Sequence, residues 1–219
     1  MGATLDVGEW VSKKGRRPRA PHVTQPRQMA CWTKSSVLEG NQLRYGDTSG
    51  LLRFKMPKLP ADLNGGFPEA FIEKRADEHS PVEQVAGALR TAAVPWSEAD
   101  VVTFRNNLNK ISLTPLKPGD GWIVHGCQGR GGGPLFLDIN PRTQPAGEAY
   151  PNERLFSYYG YKFEQLCTEG EAAYSTGAPP TVDSTSEFAA VMRIRLGAHR
   201  IMMEAEMDCC WEGMEGEAE

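Results

Sequence analysis

The most constraining feature of the sequence is a pair of apolar-rich arms joined by a short glycine link near the carboxyl end. Residues 188–196 and 200–209 flank Gly197-Ala198-His199. Two apolar arms of this length on either side of such a link are typical of an antiparallel β-hairpin. The chain is therefore expected to be organised around a β-sheet.

Two other stretches have the spacing of amphipathic helices. In residues 79–93, Ser80 is a candidate N-cap and Pro81 a candidate first helical residue, followed by an apolar stripe of Val82, Val85 and Leu89. Residues 152–168 carry a wider apolar face, made of Leu155, Tyr158, Tyr159, Phe163 and Leu166. We predict a helix in each stretch.

Short strands are predicted at residues 51–54, 122–124 and 135–139, the last two joined by the glycine-rich link of residues 129–133. That link lacks both the spacing of a phosphate-binding loop and a following helix, so we interpret it as a hairpin turn. Residues 101–111 are predicted to be ordered, but their pattern does not choose between helix and strand.

Length and charge limit the class of protein. The chain has 219 residues, 24 Lys+Arg and 28 Asp+Glu, for a formal net charge of −4. This length suits one domain or part of a larger one. There is no apolar stretch near the roughly 20 residues that a transmembrane helix needs, and the first ten residues lack the apolar core of a signal peptide.

Residues 1–40 are polar and without a clear period, and we interpret them as a largely disordered arm. The arm contains a basic run at residues 13–19. Such a run is typical of a nuclear localisation signal or a nucleic-acid patch, and equally of a solvated flexible arm. These interpretations are compatible, because import signals usually lie in flexible arms.

The five cysteines have irregular spacings and form no Cys-x-x-Cys pair. A zinc site and a disulfide framework are therefore not expected, and a reducing compartment is. We expect each cysteine to be a small buried hydrophobic residue.

Carboxylates alternate along the second arm of the predicted hairpin. Residues i and i+2 of a strand share a face, so Glu204, Glu206 and Asp208 point the same way. Three carboxylates on one face repel each other unless they meet water or a cation, and hard divalent cations prefer such oxygen ligands. Two interpretations follow from the spacing: a metal site, or a solvated edge-strand face.

Two further residues are candidates for the same chemistry. Glu164 lies on the helix predicted over residues 152–168, one turn after Gly160, where a missing side chain leaves room for an approaching element or ligand. Arg105 follows an apolar-leaning stretch, and its guanidinium suits either a phosphate or a structural ion pair.

Four stretches together resemble the DXO-type decapping nucleases, RNA 5′-end quality-control enzymes of fungi and animals. Residues 99–105 are similar to the family's strand that ends in Trp-Arg-Gly, and residues 160–165 match its Gly-Φ-x-Φ-Glu motif. Residues 192–199 resemble the hairpin before the metal strand, and residues 205–209 match the Glu-Φ-Asp motif. The resemblance extends over residues 43–210 with order and spacing preserved.

The resemblance implies roles for particular residues. Glu164, Glu206 and Asp208 would be catalytic and would bind a divalent metal, Mg²⁺ or Mn²⁺, with Glu206 binding directly or through water. The 5′ phosphate or cap phosphates would contact Arg105. Further substrate contacts would be made by Glu83, Glu206, the backbone at Ala189, and Arg44, whose match is displaced by a one-residue gap.

The resemblance also implies fold and activity. The family's fold is a mixed β-sheet flanked by helices, related to the PD-(D/E)XK nucleases. Its members hydrolyse faulty or NAD-type caps on RNA and often degrade the RNA 5′→3′. Some fungal members bind an XRN-type nuclear exoribonuclease, so the resemblance implies a nuclear location, RNA as a partner and no membrane.

Several residues depart from the family pattern. Phe104 and Asn106 flank Arg105 where the family has Trp and Gly, and residues 210–215 contain no Glu-Φ-Lys motif. We therefore expect residues 41–219 to be the N-terminal part of a decapping nuclease domain whose sheet is incomplete at its carboxyl end. The alternative is a catalytically incomplete remnant that binds RNA or an exoribonuclease.

Overall fold

The computed structural model describes residues 22–75, 81–117, 119, 121–138, 151–169 and 181–211. This part of the chain forms three α-helices: α1 (Val82–Thr91), α2 (Arg105–Leu113) and α3 (Glu153–Leu166). The strands are β1 (Arg27–Lys34), β2 (Leu43–Tyr45), β3 (Arg53–Phe54), β4 (Phe71–Ile72), β5 (Val101–Phe104), β6 (His125–Gln128), β7 (Leu135–Asp138), β8 (Thr168–Glu169), β9 (Val182–Asp183), β10 (Glu187–Leu196) and β11 (His199–Glu206). The predicted mixed α/β class is confirmed. Within the described ranges, no helix combines the length and the apolar character that crossing a membrane requires.

The chain divides into two compact units. The described residues of the first unit fall within Met1–Met29, His79–Ala146 and Val191–Ala205. Those of the second fall within Ala30–Glu78, Gly147–Ala190 and Glu206–Glu219. Strands β1, β10 and β11 contribute residues to both units.

The first unit is built on strands hydrogen-bonded in the order β10-β11-β5-β7-β6. Strand β5 is parallel to β11 and to β7, whereas β6 and β7 are antiparallel. The sheet is therefore mixed, as predicted. Helix α1 contacts β5 and β7, and α2 contacts β5, so helices flank the sheet.

The hairpin predicted around the glycine-rich link is present, but its first strand starts later than expected. Strand β6 begins at His125 and pairs with β7 from His125↔Asp138 to Gln128↔Leu135, so the strand predicted at residues 122–124 is wrong. In the link, Gly131 and Gly132 have φ of 63° and 78°, which residues with a Cβ rarely adopt. The link is therefore a turn.

Helix α1 confirms the apolar stripe but not the predicted start. It begins at Val82, after Pro81 in an extended conformation with ψ 154°, and its predicted N-cap Ser80 lies outside the described residues. Val85 and Leu89 are buried. The helix is thus held by one apolar face.

Residues 101–111, whose type the sequence left open, divide between strand and helix. Strand β5 ends at Phe104 and α2 begins at Arg105. The buried amide of Asn107 donates to Thr103 Oγ1 at 3.0 Å and to the Leu137 carbonyl at 3.2 Å, and Thr103 Oγ1 donates to that carbonyl at 3.0 Å. These bonds fix the first turn of α2 against β5 and β7.

In the second unit the strands are hydrogen-bonded in the order β2-β1-β10. Strand β1 pairs antiparallel with β2 from Trp32↔Tyr45 to Lys34↔Leu43, and Trp32 is fully buried. The disordered arm predicted over residues 1–40 is therefore wrong for residues 27–34, which form a core strand. Residues 1–21, with the basic run, lie outside the described residues.

Helix α3 has its own small core in the second unit. Tyr158 is fully buried beside Phe71 and Val182, and its hydroxyl donates to the Gly65 carbonyl at 2.6 Å. Phe71 and Val182 belong to β4 and β9, which pair in parallel. This packing holds α3 in a fixed orientation, and the helix predicted over residues 152–168 is confirmed to within two residues at each end.

The predicted hairpin is confirmed by β10 and β11, which are neighbours in the sheet with two residues between them. All five cysteines are free: Cys31 and Cys167 are buried, but Cys127 is exposed. Cys209 and Cys210 are only partly buried. The expectation that each cysteine is buried is therefore confirmed for Cys31 and Cys167 and wrong for the other three.

Candidate functional site

Glu164 lies on α3 and is half-buried. Burial, the nearby carboxylate of Asp208 and that of Glu206 together raise its pKa from an ordinary 4.5 to about 7. Burial disfavours the charged form, and like charges disfavour it further. The structure thus places acids from two stretches that lie about forty residues apart within electrostatic reach of Glu164.

Glu206 is the last residue of β11, and Asp208 follows two residues later; both are exposed. The Met207 N–H donates to the Phe188 carbonyl at 3.0 Å, so antiparallel pairing continues past the end of the strand. Alternation then places Glu206 and Asp208 on one face and Met207 on the other, as predicted. Glu204 is buried, at 5% exposure, so the interpretation of a solvated row is wrong for this residue.

The same pairing fixes what stands opposite these acids on β10. With Met207 opposite Phe188, Glu206 lies opposite Ala189 and Asp208 opposite Glu187. Ala189 is fully buried. The strand pairing thus sets the backbone of Ala189 beside that of Glu206, and the resemblance implies a substrate contact at this backbone.

Tyr161 completes the group, one helical turn before Glu164 on α3. Burial raises the pKa of its hydroxyl, as do the carboxylates of Glu206, Glu164 and Glu187, whereas the ammonium of Lys74 lowers it. All these residues belong to the second unit. We define this group as the acidic site: Lys74, Tyr161, Glu164, Glu187, Glu206 and Asp208.

Open space lies beside the acidic site at Gly160. A Cβ added there would meet nothing within 4 Å. Among the described residues, no other element occupies the gap that the missing side chain leaves. The room predicted beside Glu164 is therefore present.

The donors of the acidic site fit a hard divalent cation in kind, since all three predicted ligands are carboxylates. Burial contributes most to the raised pKa of Glu164, and repulsion by Asp208 and Glu206 contributes the rest. A bound cation would relieve that repulsion. Across the described ranges, however, no three His, Cys, Asp or Glu side chains are gathered closely enough to hold an ion. Binding would therefore have to draw the carboxylates together.

Metal binding should depend on pH through Glu164. With a pKa of about 7, this carboxyl is protonated below neutral pH, and a cation must displace the proton. We expect Mn²⁺ affinity to fall about tenfold per pH unit below 7 and to level off above it. Calorimetric titration in buffers of different ionisation enthalpy should show release of about one proton at pH 6 and almost none at pH 8.5.

The charged form of Glu164 lowers the stability of the fold, whereas the charged form of a salt-bridged acid raises it. The pKa of Glu164 is raised in the folded chain, so its unfavourable charge is fully present above about pH 7. That cost is relieved as the pH falls from 7 towards 4.5. Glu164→Gln should remove this part of the pH dependence of the unfolding free energy between pH 4.5 and 7, and an unchanged dependence in this variant would contradict the assignment.

Arg44 interacts with two residues close to it in sequence, Asp47 and Ser49. Its guanidinium forms an ion pair with Asp47 at 2.6 Å and donates to Ser49 Oγ at 3.1 Å. Hydrogen bonds from Ser49 and the charge of Arg44 lower the pKa of Asp47. A substrate contact by Arg44 would have to be shared with Asp47.

The remaining predicted residues belong to the first unit. Arg105 is exposed at the first residue of α2, and Glu83 is exposed in the first turn of α1. Both side chains are accessible to a ligand. The structure thus groups Glu164, Glu206, Asp208, Ala189 and Arg44 in one unit, and Arg105 and Glu83 in the other.

Sequence reasoning missed three members of the acidic site. Counting back along the hairpin from Gly197 would have placed Glu187 opposite Asp208, and Tyr161 stands inside the recognised motif of residues 160–165. Lys74 has no such signal, because it is separated from Glu187 by more than a hundred residues.

The sequence and the fold have matches among known proteins. The model of the family described as RAI1-like PD-(D/E)XK nuclease matches residues 24–219. The chain is 27% identical to decapping nuclease din1 of Schizosaccharomyces pombe over 199 residues, which cover 88% of this chain and 54% of that protein. The crystal structure of S. pombe Rai1 is 26% identical and superposes with a TM-score of 0.71, covering 89% of this chain and 56% of that one.

A structure of Candida albicans Rai1 in complex with pU5 and Mn²⁺ shares the fold, with a TM-score of 0.70 at 20% identity, over 91% of this chain and 57% of that one. The chain spans about half the length of the curated relatives that it matches.

Proposed function

The chain belongs to the family of RAI1-like PD-(D/E)XK nucleases, and from this premise we propose that it is a metal-dependent hydrolase acting on the 5′ end of RNA. The single observation that carries the proposal is the placement of half-buried Glu164 on α3 within electrostatic reach of Glu206 and Asp208, at the end of β11. The negative charges of these carboxylates act on one another, and a divalent cation bound among them would neutralise that charge.

Three carboxylates of the acidic site would bind the metal ion. Glu164, Glu206 and Asp208 would hold Mg²⁺ or Mn²⁺, with Glu164 giving up its proton. When bound, such an ion polarises a phosphoryl oxygen and lowers the pKa of a water molecule. The Candida albicans relative was crystallised with pU5 and Mn²⁺, which supports Mn²⁺ and 5′-phosphorylated RNA as the first ligands to test.

Substrate contacts would come from residues outside the metal ligands. Arg105 supplies a guanidinium that suits the 5′ phosphate or cap phosphates. Glu83, Arg44 and the backbone at Ala189 would contact the rest of the 5′ end, and Glu206 would face the substrate as well as the ion. The proposed substrates are RNAs with incomplete or NAD-type caps, with 5′→3′ degradation as a second proposed activity.

The cellular setting is part of the same proposal. The basic run of residues 13–19 supports a nuclear location in RNA quality control. The family resemblance supports an XRN-type exoribonuclease as a protein partner. Co-purification of such an exoribonuclease with the tagged chain from nuclear extract would support both statements.

The proposed activity is tested with the 219-residue chain and two RNAs, one with a GpppN cap and one with an NAD cap. We expect Mn²⁺ to promote release of the cap and EDTA to stop it. Glu206→Gln, which keeps the size of the side chain but removes its charge, should lower the rate by about 10²- to 10³-fold.

Glu69→Gln is the matched control, since Glu69 is exposed in the same unit outside the acidic site. It should leave the rate unchanged. Full Mn²⁺-dependent activity in Glu206→Gln would sink the proposal.

A second candidate function is an RNA- or exoribonuclease-binding module without turnover. It is favoured by the observation that the carboxylates of the described residues are not gathered to hold an ion. Binding of 5′-phosphorylated RNA without any measurable Mn²⁺ affinity would select this alternative.

A further inference from the structure

The acidic site contains a lysine that the proposed function does not use. Lys74 Nζ lies 2.8 Å from Glu187 Oε2. The Glu187 side chain is 7% exposed and that of Lys74 is 23% exposed. This ion pair is therefore largely withdrawn from water.

The fold holds Lys74 at this place by its backbone. The Lys74 N–H donates to Ser184 Oγ at 2.7 Å, and the Ser184 N–H donates to the Ile72 carbonyl at 3.0 Å. Ser184 is buried and follows β9, the strand that pairs with β4. Lys74, two residues after β4, is thus tied to the segment that leads into β10 and Glu187.

The partner of Lys74 stands beside the predicted metal ligands. Glu187 lies opposite Asp208 in the strand pairing, since Met207 bonds to Phe188. The charges of Lys74, Glu187, Glu164 and Glu206 all act on the hydroxyl of Tyr161. The ammonium is therefore within electrostatic reach of the carboxylates that would hold an ion.

Stability alone does not account for such a pair. Withdrawing two charges from water costs free energy that their attraction often fails to offset, and apolar replacements of buried pairs are frequently neutral or stabilising. A phosphate, in contrast, needs a cation to approach a site that carries four carboxylates. A lysine is a compact point charge that binds phosphate well.

We propose that Lys74, positioned by Glu187, is the resident cation of the acidic site and binds a phosphate oxygen of the RNA 5′ end. This inference rests on the proposed function and names a substrate contact of that same site. Lys74 lowers the negative charge that the substrate meets. The same positive charge competes with a metal ion for the carboxylates.

Because of these two roles, removing the charge of Lys74 from the 219-residue chain should change Mn²⁺ affinity and RNA affinity in opposite directions. Lys74→Met should tighten Mn²⁺ binding by about five- to tenfold, because a repelling charge is lost, and should weaken binding of a 5′-phosphorylated oligouridine in Ca²⁺ by about tenfold. Glu187→Gln should weaken Mn²⁺ binding several-fold. Lys74→Arg, which keeps the charge, should restore most of the RNA affinity.

Arg154→Met is the matched control. Arg154 forms an ion pair with Glu73, the neighbour of Lys74, but both of these side chains are more than 40% exposed. This variant also removes a cation from the second unit, and it should change neither affinity. Calorimetry measures Mn²⁺ binding, and fluorescence anisotropy of a labelled oligonucleotide measures RNA binding.

The results distinguish failure of the proposed function from failure of the inference about Lys74. If the wild-type chain binds no Mn²⁺, the proposed function fails before Lys74 is tested. If the wild type binds Mn²⁺ and Lys74→Met weakens Mn²⁺ binding or leaves either affinity unchanged, the inference is overturned. If Lys74→Met does not fold, the Mn²⁺ affinity of Glu187→Gln is measured instead. An affinity equal to or tighter than that of the wild type contradicts the inference.

Discussion

Replacing Glu164 by glutamine is expected to abolish Mn²⁺ binding and to lower Mn²⁺-dependent hydrolysis of capped RNA by about 10³-fold. The variant removes the half-buried carboxylate whose charge is coupled to Asp208 and Glu206. It keeps nearly the same side-chain volume on α3. The fold should therefore be preserved while the ligand is lost.

The unfolding temperature of Glu164→Gln distinguishes loss of Mn²⁺ binding from loss of the folded structure. Above pH 7 the charged Glu164 opposes folding, since its pKa is raised to about 7 in the folded chain. Glu164→Gln should therefore unfold at the same temperature as the wild type or higher at pH 8. The control is Glu153→Gln in the exposed first turn of α3, which should bind Mn²⁺ normally. Retained Mn²⁺ affinity in Glu164→Gln would remove Glu164 from the metal site.

Trp32→Ala is expected to have the largest effect on stability. Trp32 is fully buried in β1 and has the largest volume among the completely buried side chains of the described residues. Truncating a buried tryptophan to alanine removes apolar contacts and leaves a cavity, at a cost of about 3–5 kcal/mol. That cost is a large share of the stability of an ordinary domain.

Urea unfolding followed by circular dichroism measures this loss of unfolding free energy. Leu38→Ala is the control from the segment that follows β1, because Leu38 is 72% exposed, and it should change the free energy by less than about 0.5 kcal/mol. If Trp32→Ala were as mild as Leu38→Ala, residues 27–34 would not be a core strand. The disordered arm first expected there would then be right.

The elements predicted correctly are those whose period repeats over many residues. The hairpin of β10 and β11 has two apolar arms and a two-residue link, and α3 has an apolar face over four turns. In the hairpin this pattern matches the buried side chains of both arms, whereas on α3 Tyr158 is buried and Phe163 is 57% exposed. The acids on these elements, Glu164 and Glu206, could therefore be placed before the structure was known.

The errors have specific physical causes. Strand β1 was missed because polar and basic residues on both sides of it dominate the composition of residues 1–40, although Met29 to Trp32 is an apolar run. The change from strand to helix at Arg105 has no local breaker in sequence, and it is stabilised by the tertiary contact of Asn107 with Leu137. Lys74 joins the acidic site through pairing of β4 with β9, which no local pattern encodes.

Glu204 shows why alternation alone is insufficient. The spacing correctly put it on the same face as Glu206, but along a single strand one end of a face is covered by the fold while the other reaches solvent. Glu204 is 5% exposed, whereas Glu206, two residues later, is exposed. Burial depends on what packs over each position, which the sequence of the strand does not contain.

The pairing of Met207 with Phe188 constrains how the gene for this chain can change in length. Losing or gaining one codon between the hairpin link and Asp208 would turn the thioether of Met207 toward Glu164 and send both acids to the opposite side. Insertions and deletions in this arm should therefore survive selection in pairs of codons, whereas the Gly197-Ala198 link, at the far end of the hairpin, can absorb single ones.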